Sequence, residues 1–310
     1  MDPLSQVLAL LRPRHHRFGG FTAGGRWALR FAPYAGIKCY AVAEGACWLA
    51  LDGEDPRRIE AGDCFLLPRG IGFTIASDLQ AAPLQALDVL PRAANGAMAA
   101  LPGARDFAVM GGHFLVEEGP AAALLGALPA IVHLPGEAER DSLRWSIERL
   151  REELAGEQPG GAWLVQQLAA MILAQALRRH LAETGARQVG WLFALADRPL
   201  RQALGAIHAA PARRWSLAAL AAEAGMSRSS FAAHFRARVG MAPMAYLTRW
   251  RMLLAADRLA HTGQPLAEIA QALGYASDSA FAAAFKREMG TPPRRFAGSP
   301  PLAAAASPGR

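Results

Sequence analysis

Through the first 115 residues, apolar positions fall in short runs, each broken within a few residues by a turn former. Gly19, Gly20, Gly24 and Gly25 punctuate the start, and IKCYAVAEGACWLALDG reads as strand segments parted at Gly45. Asp52 and Gly53 form a strong turn signal after the apolar run 47–51. Cys64, Phe65, Leu66 and Leu67 lead into Pro68, Arg69 and Gly70, a strand followed by a turn. Short strands at this spacing predict a barrel or sandwich.

Near Leu134, Pro135 and Gly136 the pattern changes. Leu143, Ile147, Leu150 and Leu154 recur at steps of four, three and four, drawing one apolar stripe along a helix. Gly156, Pro159, Gly160 and Gly161 end it, and a second helical stretch follows over 162–181, with Trp163, Leu164, Leu168 and Met171 apolar. Such a pair either packs over the β-domain or supplies a subunit interface, and periodicity does not choose between them. The last residues, SPPLAAAASPGR, hold three prolines and almost no large apolar side chain, so 299–310 is expected to be disordered.

Between these regions lies an internal duplication. Leu217, Leu220, Ala221 and Ala224 form a short apolar face followed by Gly225; Leu266, Ile269, Ala270 and Leu273 repeat it 49 residues later, followed by Gly274. Ser227, Phe231, Phe235 and Gly240 then return 50 residues on as Ser277, Phe281, Phe285 and Gly290. One extra residue in the second turn accounts for the change of offset. A short helix, a turn with Gly and Ser, and a second helix closed by Gly is the arrangement of a helix-turn-helix. The four phenylalanines are expected to be core, leaving the opposite face of each second helix for a groove. Pro243 can start a connecting helix through MAYLTRWRMLLAADRLA, and a bridging helix is expected near 195–208.

Charge sharpens this division. Residues 200–298 hold 13 Lys/Arg and 5 Asp/Glu, net +8, whereas residues 1–199 are net −2. A near-neutral body joined to a basic segment of some 100 residues fits a nucleic-acid-binding module on another domain. The 310-residue length suits two domains, and 52% hydrophobic against 19% charged residues excludes a disordered polyampholyte. Three cysteines exclude a disulfide-dense scaffold. No apolar run reaches the roughly 18 residues of a spanning helix, and MDPLSQVLALLRPRHHRF lacks the basic start of an export signal. A soluble, cytoplasmic protein is expected.

Enzyme signatures are missing: there is no G-x-S-x-G, H-E-x-x-H or phosphate-binding P-loop. His15 and His16, beside Arg14 and Arg17, read as solvated. Cys39, Cys47 and Cys64 lie in strand-like segments, where cysteine is commonly a small hydrophobe.

The basic segment resembles the DNA-binding domain of the AraC/XylS family of bacterial transcription regulators. The resemblance is carried by Ile269, Ala270, Gly274, Tyr275, Ser277, Phe281, then Phe285, Lys286 and Arg287, then Gly290, Thr291, Pro292, and Arg294, Arg295 and Phe296. The N-terminal part is similar to the cupin-type ligand domain found in one branch of that family, through Gly36, Ile37 and Lys38, the run 45–49, Ala61, Gly62 and Asp63, and the run 67–70. The resemblance implies a cupin-like β-barrel (jelly roll) over 1–135, a helical pair over 136–195 with a possible dimerisation role, and an all-α domain with two helix-turn-helix motifs over 196–298. One departure stands out. In the metal-binding cupin motif G-x5-P-x-G-x2-H-x3-N, Gly62, Pro68 and Gly70 fit, but Phe73 replaces the histidine and Ser77 the asparagine. Phenylalanine offers a metal no lone pair, so neither a metal, a cofactor nor cupin oxygenase chemistry is expected.

The function so implied is sequence-specific binding of double-stranded DNA under small-molecule control. In the first reading helix the candidate DNA contacts are Arg228, Ser229, Ser230, Ala232, Ala233 and Arg236. In the second they are Asp278, Ser279, Ala280, Ala282, Ala283, Lys286 and Arg287. Ala233 and Ala283 can touch a thymine methyl but cannot make a bidentate base contact, which predicts modest direct readout. Trp48, Phe65, Phe73 and His113 are the candidate effector-pocket residues, the aromatic three being equally suited to filling a core. A homodimer is expected, with RNA polymerase as a further partner if the protein activates. The competing classes are a cupin-like enzyme with a basic appendage and a non-specific DNA-associated structural protein.

Overall fold

A computed structural model describes residues 2–11, 14–90, 98–115, 128–136, 142–156, 158–184 and 188–297. The chain divides into two compact units. Of the described residues, one takes 14–115 and 128–180, and the other takes 2–11 and 181–297.

The first unit is a two-sheet β-structure. Its larger sheet runs in the order β11 (Val132–Leu134), β6 (Cys64–Leu67), β3 (Ile37–Glu44), β10 (Phe107–Leu115), β1 (Arg14–Ala23) and β9 (Met98–Ala100). Its smaller sheet runs β5 (Arg57–Glu60), β4 (Ala46–Leu51), β7 (Phe73–Ala76), β2 (Ala28–Phe31) and β8 (Leu84–Gln85), followed by the short helix α2 (Ala86–Val89). Alternation decides what each strand buries. On β4, Cys47, Leu49 and Leu51 are buried while Trp48 and Ala50 are partly exposed. The inward residues, among them Phe21, Leu29, Leu49, Ile59, Phe65 and Val109, form one apolar cluster between the sheets.

The strand β6 is buried at all four positions because the larger sheet is covered on its other face too. There, α3 (Ser142–Ala155) and α4 (Gly161–Thr184) bring Ile147, Leu150 and Ile172 to Cys39, Met110 and Phe114. The expected helical pair is therefore packed on the barrel up to residue 180, and of the described residues 181–184 and 188–195 group with the other unit. Asp63 explains the local Ala-Gly-Asp sequence: its buried carboxylate accepts from Glu60 N at 3.0 Å and Gly136 N at 2.9 Å, and lies 2.9 Å from His133 Nε2. One side chain thus closes the turn before β6 and anchors the end of β11.

The second unit is helical. It contains α1 (Pro3–Leu11), α5 (Arg198–Ala209), α6 (Leu217–Glu223), α7 (Arg228–Val239), α8 (Pro243–His261), α9 (Leu266–Ala272), α10 (Asp278–Met289) and α11 (Pro293–Ala297). A short 3-10 turn at Phe193–Ala196 precedes α5, and α1 packs on α5 with Leu4 and Val7 buried. The duplicated signals act as the sequence requires. Ser227 and Ser277 cap α7 and α10 through the backbone N–H groups of Ser230 and Ala280, while Gly240 and Gly290 end them in the left-handed conformation. Proline starts α8 and α11, where a missing N–H costs nothing. The tail 299–310 lies outside the described residues, as do the side chains of His15, His16, Leu143 and Leu154.

Candidate nucleic-acid interface and effector pocket

Helix α7 buries Phe231, Phe235 and Val239, and α10 buries Phe281, Ala284 and Phe285. All four phenylalanines have no exposed surface, so they serve the core and are not stacking partners for bases. The opposite faces are what remains. Arg228, Ser229, Ser230, Ala233 and Arg236 are exposed on α7, with Ala232 half-buried. On α10, Asp278, Ser279, Ala280, Ala283, Lys286 and Arg287 are exposed and Ala282 is half-buried. The sequence-derived DNA candidates thus occupy the solvent side of each second helix. Helix α8, which joins the two motifs, is 19 residues long, about 28 Å at the α-helical rise.

Three supports of this surface join residues far apart in sequence. Asp197 caps α5 by accepting from Leu200 N at 3.1 Å, and its other oxygen lies 2.7 Å from His234 Nε2 on α7. Gly190 N donates to Arg238 O at 2.9 Å, so the stretch before α5 is tied to the first reading helix twice. Arg251 on α8 donates through Nε to Pro211 O at 2.6 Å and through its terminal nitrogen to Arg213 O at 2.9 Å. Its guanidinium also lies over the Tyr275 ring at 5.6 Å. Burial lowers the Arg251 pKa from its ordinary range, and the role of this arginine is to hold the loop before α6. That loop presents Arg213 and Arg214, both exposed.

A titratable core lies behind the first motif. His208 Nε2 sits 2.8 Å from the Tyr246 hydroxyl, and its ring stacks on Trp250 at 3.9 Å. Burial pulls the His208 pKa down to about 3, with Asp2 opposing the shift.

In the barrel, Phe65, Phe73 and His113 belong to one aromatic group. Phe73 stacks on Phe31 at 4.5 Å, Phe65 stacks on Tyr40 at 5.3 Å, and His113 meets Tyr34 edge-on at 5.3 Å. His113 Nε2 also bonds the Ala35 carbonyl. Trp48 stands apart on the opposite parity of β4, with Arg58 over its ring at 5.6 Å. The group contains one residue that sequence reasoning missed. Lys38 places its ammonium 4.6 Å from the Phe31 centroid, 4.5 Å from Tyr34 and 5.2 Å from Phe73. A separate cavity of about 20 Å³, room for about one water, lies on the other face of the larger sheet between Cys39, Phe114, Leu150 and Ile172. Cys39 shares that face with Cys64, their sulfurs 3.8 Å apart, whereas Cys47 is in the inter-sheet core, where burial pushes its thiol up to about 12.

The residues at the cupin metal positions do not fit a metal. Phe73 is stacked flat on Phe31, and the Ser77 hydroxyl accepts from Trp27 N at 2.9 Å. Among the described residues no three His, Cys, Asp or Glu side chains gather into a ligand set, and no helix is long and apolar enough to cross a membrane.

Comparison with known proteins agrees with both halves. Residues 2–182 match the family described as Cupin, and residues 220–299 match the family described as Helix-turn-helix domain. An AraC-like transcription regulator of Streptomyces antibioticus is 41% identical over 295 residues, covering 94% of this chain and 97% of its own length. One from Streptomyces lividans is 40% identical over 304 residues, covering 97% and 100%. Among solved structures, the DNA-binding domain of AdpA in complex with a target DNA is 29% identical, covers 33% of this chain and 90% of that one, and has a TM-score of 0.31. With a cupin-type barrel preceding two capped helix-turn-helix motifs, and relatives matched from end to end, the chain belongs to the AraC-like family of DNA-binding transcription regulators.

Proposed function

We propose that this regulator binds one operator sequence as a homodimer in the cytoplasm, under control of a small molecule held by its barrel. It acts by binding, not by turnover, in keeping with relatives named as regulators. The observation that carries the reading is the pair of capped helices whose large side chains are consumed by the core and whose opposite faces present Arg228, Arg236, Lys286 and Arg287. Phosphate contacts from these side chains supply affinity. With alanine at 233 and 283, much of the preference comes from DNA shape and few bases are read bidentately.

For the dimer, packing changes which residues matter. Leu150 and Leu168 are buried within the barrel unit, whereas Trp145 on α3 and Trp163 on α4 are 61% and 63% exposed, with Leu164 exposed beside Trp163. Indoles left in water at that level favour an interface through the outer surfaces of α3 and α4. A two-fold dimer brings four reading helices to paired half-sites.

Selection of bound fragments from a random duplex pool, followed by titration of the full-length protein on the selected and a scrambled site, tests the reading. The expected result is preference for the selected site with affinity that falls steeply with salt. Equal affinity for both duplexes rejects specific regulation in favour of a non-specific DNA-associated protein. A mass that stays monomeric on the selected site rejects the dimer.

A further inference from the structure

Helix α8 is shared by two small cores. Its first half serves the first motif, with Tyr246 edge-on to Phe235 and Trp250 stacked on His208. Its second half serves the second motif, with Met252 and Ala256 packed among Ile269, Leu273 and Phe281. Arg251 stands at the junction of the two halves. A helix bends, and elements packed on it slide, so a shared helix alone does not fix the angle between α7 and α10. A sideways tie between the motifs is needed for that.

The loop 210–215 supplies it. The loop is knit internally, with Arg213 N donating to Ala210 O at 3.1 Å and Trp215 Nε1 donating to the same oxygen at 2.9 Å. It then enters α6 through the Ser216 cap. Arg251 grips this loop at two carbonyls, those of Pro211 and Arg213, a pairing that suits the fixed fork of a guanidinium. The other side of Arg251 is turned to the second motif. Its guanidinium lies over the Tyr275 ring, and Tyr275 meets the buried Phe281 of α10 edge-on at 5.5 Å. Contact therefore runs from the entry of α6, through Arg251, to the core face of α10.

A second contact joins the same two parts. Gly274 holds a φ of +80°, and a Cβ placed on it would overlap the Ala212 carbonyl, with the carbonyl carbon only 2.9 Å away. Its counterpart in the first motif, Gly225, holds a φ of +63° with open space around it. Both glycines serve the left-handed turn between the helices of a motif. Only Gly274 is also pressed against the entry loop of the other motif. The close approach is therefore an addition to the motif and not part of it.

We propose that Arg251, with Gly274 and Tyr275, is a positioning clamp that sets the separation of α7 and α10 and, through it, the spacing of the two boxes they read in each half-site. The clamp rests on the operator reading above, in which both helices dock on one duplex. One base pair moves a box by about 3.4 Å and turns it by about 35° around the axis. Motifs hinged freely on α8 would follow such a shift, whereas clamped motifs lose the contacts of one helix. Arg251 acts through the other residues and does not itself touch DNA, because its donors point into the protein at Pro211 and Arg213.

The test uses the full-length protein and its selected operator, with one base pair inserted or removed between the two boxes. Wild type should prefer the original spacing by about tenfold or more, the cost of one mismatched base pair. Arg251→Met and Gly274→Ala should each cut that preference to about threefold or less, the second standing in if the first misfolds. Arg251→Met should leave the salt slope unchanged, since no phosphate contact is removed. Gly225→Ala carries the same left-handed strain without the collision and should keep the wild-type preference. In the free protein, spin labels at Ala237→Cys and Glu288→Cys should give a narrow distance distribution that Arg251→Met broadens. Both label sites are exposed and the three native cysteines are buried. The clamp is overturned by wild-type indifference to spacing, by an unchanged preference in both variants, or by a distribution that stays narrow in Arg251→Met. A salt slope lowered by Arg251→Met, or equal relaxation by Gly225→Ala, overturns it too. A broadened distribution in a protein that prefers no duplex upholds the clamp and rejects the operator reading, so the two fail separately.

Discussion

Aligned by number, the two helix-turn-helix copies share the caps, phenylalanines and terminating glycines of their second helices and part company elsewhere: Ser216 caps α6 where Pro265 precedes α9, and the surfaces differ. Ser227, Phe231, Phe235 and Gly240 have their counterparts in Ser277, Phe281, Phe285 and Gly290, with the same caps and the same burial. Helix α7, however, carries Arg228, Arg236 and Arg238 with no acid, net +3, while α10 balances Lys286 and Arg287 against Asp278 and Glu288, net 0. Their supports differ as well. Phe235 packs edge-on against Tyr246 at 5.8 Å, and Tyr246 in turn meets His208. The second copy rests on an apolar cluster of Met252, Ile269, Leu273, Phe281 and Phe285. Folding repeats the paired phenylalanines, caps and terminators and makes no such demand outside, so the surface is free to differ between the copies.

Acid should separate them most strongly. A buried His208 stays neutral to about pH 3 in the folded protein, whereas in the unfolded chain it titrates near its ordinary 6.5. Below pH 6.5 the unfolded state therefore binds the extra proton, and the stability this histidine contributes is lost as pH falls toward 3. Over the full window the loss amounts to as much as about 5 kcal/mol. Amide exchange followed by mass spectrometry from pH 7 to 4, with intrinsic rates corrected for pH, should show protection failing first in α7 and α8. Simultaneous loss in α7 and α10 would mean that the copies unfold as one and that His208 does not single out the first.

How much of this could be read from the sequence depends on the range of the interaction. The duplication was legible because caps, phenylalanines and terminating glycines are local signals that recur at fixed offsets, and the strands of the barrel were legible from turn-bounded apolar runs. Facing was not. In the run 46–51 both parities are apolar, so nothing local says that Trp48 points away from the core that Cys47 and Leu49 enter. Lys38 could be placed on a strand, but the layer between the sheets exists only once Phe31 and Phe73 arrive from the opposite side. The Asp197–His234 pair spans 37 residues and connects two elements that no periodicity relates. Likewise, the stripe at Ile147 and Leu150 was visible, while its partner, the outer face of a β-sheet, was not.

The difference in surface charge predicts unequal shares in DNA binding. Replacing Arg228 and Arg236 together by Ala should weaken the selected operator by about 10–100-fold and flatten the log-log salt slope by about 0.9 for each phosphate no longer neutralised. Arg228, at the first turn of α7, should also change the ratio between selected and scrambled duplexes. Replacing Lys286 and Arg287 by Ala should cost about tenfold, spread evenly across sequences. Titrations of both double variants at several salt concentrations check this. The division of labour fails if the second pair costs as much as the first and shifts the preference ratio too.

The smallest effect tests whether each copy trades helix stability against DNA attraction at its first residue. Arg228 stands at the positive end of the α7 dipole, an unfavourable place for a cation and a favourable one for meeting a phosphate. Asp278 stands at the same position of α10, where it suits the helix and repels the backbone of a duplex. Exchanging them separates the two contributions. Arg228→Asp should raise stability by about 0.3–1 kcal/mol, seen as a higher urea midpoint at unchanged slope, while operator affinity falls. Asp278→Arg should do the reverse, losing a similar stability and steepening the salt dependence by the increment of one more neutralised phosphate. Capping by Ser227 and Ser277 is untouched in both variants, so the stability changes do not come from a lost cap. If Arg228→Asp gains stability without losing affinity, that arginine lies clear of the DNA and the first copy's excess charge must act through Arg236 and Arg238.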